Sequence, residues 1–73
     1  MNDLVTIKGM LLASTEKAIG ISISDENGEY KKKVEFWLPK SQIDRCQPKK
    51  TGEIGEIDIP RWLAEKNDLD YED

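Results

Sequence analysis

Histidine is absent from this chain of 73 residues, and cysteine occurs once, as Cys46. Without imidazole, a general base working near neutral pH would have to be a strongly shifted carboxylate, lysine or thiol. Without a second thiol there is neither an internal disulfide nor a thiolate and imidazole set for zinc, and the expected compartment is the reducing cytoplasm. No apolar run approaches the roughly 20 residues that a membrane-spanning helix needs. The start MNDLVTIKG lacks the basic and apolar regions of a signal peptide, so the expectation is a soluble cytoplasmic protein. A glycine-rich phosphate loop is also missing: Gly52 and Gly55 flank Glu53 and Ile54 with no lysine following. No Ser, Thr or Lys lies in a recognised nucleophile motif. The reading is of a non-catalytic protein with no cofactor and no metal.

What is present points to a folded domain. Hydrophobic residues make up 37% and charged residues 36%, polar for a globular chain but too apolar and too regularly patterned for a disordered one. The length suits one compact core and leaves little room for a deep pocket. We place a single β-rich domain over residues 1–67 and an acidic, frayed tail over 68–73. The net charge of −4 hides a division: residues 1–30 carry −3, residues 31–50 carry +5 and residues 51–73 carry −6. A basic middle and an acidic end either pair with each other or form two faces of opposite sign.

Alternation of apolar residues carries the fold prediction. The stretch Leu4 to Leu12 has Val5, Ile7 and Leu11 on one parity and Leu4, Met10 and Leu12 on the other, so both faces are apolar. Gly9 lies where a strand bends, bulges or admits another backbone. Lys17 to Ser24 sets Ile19, Ile21 and Ile23 against Ala18, Gly20 and Ser22, a half-buried strand. Asn27-Gly28 then reverses the chain, because both residues tolerate positive φ. The returning strand, Glu29 to Pro39, points Val34, Phe36 and Leu38 inward and Trp37 the other way, and Pro39 ends it. Ser41 is read as the N-cap of one turn through Arg45, with Ile43 as its inward anchor. A bulge at Gly55 would turn Ile54, Ile57 and Ile59 to the core. Pro60 starts a short helix in which Trp62 falls among the core positions. The fold class is thus mainly β with a short C-terminal α-helix, a small curved sheet or SH3/OB-like barrel of about four strands.

Candidate binding residues follow from that pattern. Trp37 opposes the inward parity and so lies on an outer face, where an aromatic ring is a frequent binding hot spot. Tyr30, Lys31, Lys32, Lys33 and Lys40 surround it in sequence. Charge interleaved with aromatic rings suits single-stranded nucleic acid, whose phosphates seek cations and whose bases seek stacking surfaces. Lysines at strand ends also serve simply to keep an edge soluble. Asp68, Asp70 and Tyr71 form an acidic end that is either a solvated terminus or a hook for a basic partner. Cys46 beside Arg45 reads as a small buried filler.

The segment Trp37-Leu38-Pro39-Lys40-Ser41-Gln42, followed by Ile57, Ile59, Pro60, Trp62 and Leu63-Ala64-Glu65, resembles small accessory proteins of bacteriophages and mobile elements. The resemblance covers the second half of the chain. It implies a host-cytoplasmic protein acting near replication, recombination or host-defence machinery, and it transfers no catalytic residues. The function expected is binding of a host or phage protein, with modulation or inhibition of a nucleic-acid-processing enzyme. Two alternatives stand beside it: a single-stranded nucleic-acid binder using Tyr30, Trp37 and the central lysines, and a homodimer formed by pairing the Ile19 to Ile23 strand with a second copy.

Overall fold

The computed structural model describes residues 3–72. It is mainly β. Five antiparallel strands, β1 (Leu4–Ser14), β2 (Ala18–Ser22), β3 (Phe36–Pro39), β4 (Arg45–Cys46) and β5 (Ile54–Pro60), form one sheet in the order β3-β2-β1-β5-β4. A 3₁₀ turn, Lys40–Gln42, follows β3, and a helix, α1 (Arg61–Lys66), follows β5.

The sheet is organised around β1, the longest strand, which is shared by two partners. Its first part pairs with β5 from Leu4 opposite Pro60 to Met10 opposite Ile54, and its last part pairs with β2 from Met10 opposite Ser22 to Ser14 opposite Ile19. Gly9 stands at this handover. A Cβ there would lie 3.2 Å from Ile21 Cδ1 and 3.3 Å from the Ser22 carbonyl oxygen, so the close approach anticipated from the sequence is real. A break in register between Leu11 and Ala13 adds the bulge that lets one strand serve both neighbours. The sheet remains open: β3 and β4 are its edges and do not pair with each other, so no barrel closes. Five strands form because Arg45, expected to end a helical turn, instead extends together with Cys46 against Asp58 and Ile57.

One face of the sheet carries the core. Val5, Ile7, Leu11, Ile19, Ile21, Leu38, Ile57 and Ile59 are buried together, and Leu63, Ala64 and Leu69 cover them from the C-terminal side. Each of the valine, leucine and isoleucine side chains contributes on the order of 1.5–3 kcal/mol on burial. Phe36, Ile43 and Cys46 pack at the margin, half-buried, and the Cys46 thiol donates to the Pro48 carbonyl at 3.3 Å.

Several local expectations are corrected. Val34 does not join the core: it precedes β3 and lies with Trp37 over Gly20, on the opposite face. No bulge occurs at Gly55, because the ladder with β1 runs unbroken through Gly9 opposite Gly55 to Met10 opposite Ile54. Ile54 consequently faces outward and is 45% exposed. Gly55 is instead required where residues 47 and 48 cross it, a Cβ there standing 2.8 Å from Gln47 Oε1. Ser41 caps nothing: Pro39 occupies the N-cap of the 3₁₀ turn and no side chain caps it. Pro60 likewise ends β5 and acts as N-cap of α1, leaving Arg61 as the first helical residue, its N–H donated to the Asp3 carbonyl at 2.8 Å.

The end of the chain is not frayed over its described part. Asp68 adopts φ 55°, and the N–H groups of Asp68 and Leu69 return to the carbonyls of Glu65 (3.2 Å) and Ala64 (2.9 Å). This is the paired bonding of a Schellman motif. It turns the chain so that Leu69 enters the core. Glu72 then makes an antiparallel bridge with Thr6, its N–H and carbonyl each bonded at 2.8 Å. The acidic end thus lies along the part of β1 that β2 does not reach. The remaining tail residue, Asp73, lies outside the described residues.

Candidate binding face

The β2–β3 hairpin builds the face that carries Trp37. Phe36 opposite Ile21 and Leu38 opposite Ile19 point to the core, so Trp37 opposite Gly20 points away from it. Gly20 has no side chain to fill the space, and Trp37 Cζ3 and the two Val34 methyls close over it. The indole is nevertheless 53% exposed. The same face continues across the sheet through Ala13, opposite Gly20, and through the row Ser22, Met10 and Ile54. Ser22 is fully buried in this row, and its Oγ has no hydrogen-bond partner among the described residues. Met10 and Ile54 were not selected from the sequence as site residues. The signal for Ile54 was its parity, misread through an assumed bulge.

The turn before Trp37 is tightly specified. Asp25 Oδ1 accepts the N–H groups of Asn27 (2.8 Å) and Glu29 (3.0 Å), Gly28 takes φ 79°, and Ser24 bridges Tyr30. Tyr30 is half-buried. Lys31, Lys32 and Lys33 then leave the ladder as an exposed bend, so the strand expected from Glu29 begins only at Phe36. Glu35 fastens the bend: its Oε1 accepts the Ile23 N–H at 3.2 Å and its Oε2 faces Lys31 Nζ at 3.7 Å. Lys32 and Lys33 make no ion pair among the described residues. Lys40 is exposed just beyond Pro39, its N–H bonded to the Lys17 carbonyl at 2.8 Å.

The structure therefore places Tyr30, the three lysines and Trp37 on one hairpin, with Lys40 past the end of β3. Asp68, Asp70 and Tyr71 belong to a different region, docked against α1 and the first part of β1. Tyr71 is held there by three contacts. Its hydroxyl donates to Glu65 Oε2 at 2.9 Å and accepts from Arg61 Nη1 at 3.2 Å, while the Arg61 guanidinium lies 5.3 Å from its ring centroid.

The charge division of the sequence is partly resolved by pairing. Arg45 binds Asp58 (Nε to Oδ2, 2.8 Å) and Glu56 (3.0 Å), whereas Glu53 Oε1 accepts only the backbone N–H groups of Lys49 and Lys50 and, among the described residues, not their ammonium groups. The Asp58 carboxyl is held below the ordinary carboxylate range first by Arg45 and then by the Thr6 hydroxyl. Glu53 is lowered by those two backbone N–H groups and Asp3 by Arg61. Burial raises the Cys46 thiol, against a smaller opposing effect of Lys49, the reverse of what activates a nucleophile. Among the described residues no cluster of His, Cys, Asp or Glu is arranged to hold a metal ion, and no helix is long and apolar enough to cross a membrane.

Trp62, like Val34 and Ile54, lies on a different side from the one its sequence pattern suggested. Leu63 and Ala64 take the buried side of α1, and Trp62 is left 54% exposed. The helix is only 6 residues long, too short for periodicity to fix its phase from sequence.

No protein family, curated protein or solved structure matches the chain.

Proposed function

We propose that this chain is a non-catalytic binding protein of phage or mobile-element type that engages a protein partner through the Trp37 face. The observation that carries the reading is the exposed indole lying over Gly20 with Val34 beside it. A large rigid ring above a side-chain-free patch offers apolar area to a partner at little conformational cost. Met10 and Ile54 extend that area across β1 and β5. Modulation or inhibition of a nucleic-acid-processing enzyme in the host cytoplasm is the role that agrees with the resemblance.

A second reading keeps a specific support: Lys32 and Lys33, exposed and without ion pairs among the described residues, precede Trp37 on the same hairpin. That arrangement suits single-stranded nucleic acid. The dimer route drawn from sequence loses its basis, because β2 is interior to the sheet, paired on both sides.

The experiment compares the wild type with Trp37→Ala and with the triple variant Lys31→Gln, Lys32→Gln, Lys33→Gln. Each is presented with host cytoplasmic proteins and with a labelled single-stranded oligonucleotide at low and moderate salt. The proposal expects a protein ligand that Trp37→Ala releases and the lysine variant retains, and no saturable oligonucleotide binding. Oligonucleotide binding that falls steeply with salt and disappears in the lysine variant would establish the second reading instead.

A further inference from the structure

A second exposed tryptophan flanks a trough on another part of the molecule. Trp62 borders a cleft of about 440 Å³ whose walls include Leu4, Pro60, Gln42 and Glu65. A smaller cleft of about 160 Å³ shares Leu4, Gln42 and Pro60 and continues past them to Asp44. One trough therefore runs from Trp62 to Asp44, between the 3₁₀ turn on one side and the β5–α1 junction on the other. Trp37 lines neither part of it.

The charge of this trough is opposite to that of the Trp37 hairpin. Asp3 and Arg61 neutralise each other through two bonds, Nε to Oδ2 at 2.8 Å and Nη2 to Oδ1 at 3.1 Å. Arg61 is further engaged by Tyr71. That leaves the carboxylates of Glu65 and Asp44, one toward each end: Glu65 accepts one hydrogen bond, from the Tyr71 hydroxyl to Oε2 at 2.9 Å, which leaves Oε1 to a ligand, and neither carboxylate makes an ion pair among the described residues. Carboxylates prefer a guanidinium, which they can grip through two parallel hydrogen bonds. An indole face attracts the same cation and also packs against prolyl rings, and aromatic-walled grooves take extended chains. Phosphate-bearing ligands are repelled by the same carboxylates.

We propose that the trough between Trp62 and Asp44 binds an extended, arginine-bearing segment of a partner protein. The inference does not depend on the Trp37 face. Together the two surfaces would let this small domain hold two chemically different ligands at once.

The chain contains two tryptophans, so Trp37→Phe leaves Trp62 as the single indole reporter. This variant is titrated with a short labelled peptide of alternating arginine and proline, and with its glutamate counterpart. The arginine peptide is expected to give a saturable change in Trp62 emission, and the glutamate peptide none. Followed by anisotropy of the peptide label, affinity should fall by about tenfold or more on Trp62→Ala, the loss typical of a binding hot spot. A comparable fall is expected for Asp44→Asn combined with Glu65→Gln. Equal binding of both peptides, an absent emission change, or undiminished affinity in a folded Trp62→Ala variant overturns the proposal. Should Trp62→Ala fail to fold, the exposed carboxylate pair decides: loss of affinity upholds the site and retention overturns it.

Discussion

The Val34 methyl Cγ2 lies 2.7 Å from the point where a Cβ on Gly20 would stand, and Cγ1 lies 2.9 Å from it. Both distances are shorter than a methyl contact allows, so Gly20→Ala must displace Val34 and disturb the indole beside it. The substitution is expected to cost about 1–3 kcal/mol, the usual range for overpacking. Adding Val34→Ala should restore part of that loss, giving a non-additive pair in urea unfolding. Additive effects would mean that Val34 already moves freely off the strand.

Acid should weaken the domain through identified carboxylates. Asp58 accepts from Arg45 Nε at 2.8 Å and from Thr6 Oγ1 at 2.7 Å, and its carboxyl is held down by both. A carboxyl lower in the folded than in the unfolded chain stabilises fully above its unfolded value of about 4. That contribution disappears as pH falls through the folded value. Asp58→Asn should therefore lower the urea midpoint at neutral pH, and the gap to wild type should narrow in acid. An equal gap at both pH values would show that geometry, not charge, makes the contribution.

The parts of the fold that were legible in the sequence are those where alternation is long and unambiguous. Ile19 and Ile21 on β2 and Val5, Ile7 and Leu11 on β1 stand as read. So does Trp37 as the outward residue of β3. The chain does reverse at Asn27-Gly28, but only Gly28 takes a positive φ, the turn closing through its N–H on the Asp25 carbonyl at 3.0 Å. The misreadings fall where tertiary approach overrides local pattern. Val34 shares the parity of Phe36, yet the chain leaves the ladder between them, where the Glu35 N–H bonds the Ile21 carbonyl of β2 and the Glu35 carboxylate, in place of a backbone carbonyl, accepts the N–H of Ile23 just beyond it. Ile54 was assigned inward on the strength of a glycine whose actual reason is the crossing of Gln47. The charged composition of the C-terminal segment suggested solvent, but one apolar residue, Leu69, and a reversed backbone at Asp68 dock it.

That docking gives a third expectation. Leu69 is buried among the core residues, so Leu69→Ala should cost about 2–5 kcal/mol, as for other large-to-small core changes. The Thr6 and Glu72 amides, which bond each other's carbonyls at 2.8 Å, should be slow to exchange with solvent in the wild type and fast in the variant. Fast exchange of both amides in the wild type would show that the bridge is not maintained.

Asp68 offers a change in the opposite direction. It holds φ 55° at the C′ position of α1, a left-handed conformation that costs an L-residue roughly 1–2 kcal/mol and glycine almost nothing. Glycine also has more freedom to lose from the unfolded chain, so the two effects partly cancel. Asp68→Gly should raise stability by about 0.5–1 kcal/mol, with the Leu69 N–H still bonded to Ala64. A loss of stability would assign Asp68 a side-chain role that outweighs its backbone strain. Because the side chain is exposed, the same variant also tests the acidic end as a partner hook. Binding that weakens while stability rises would separate a functional role for Asp68 from its structural one.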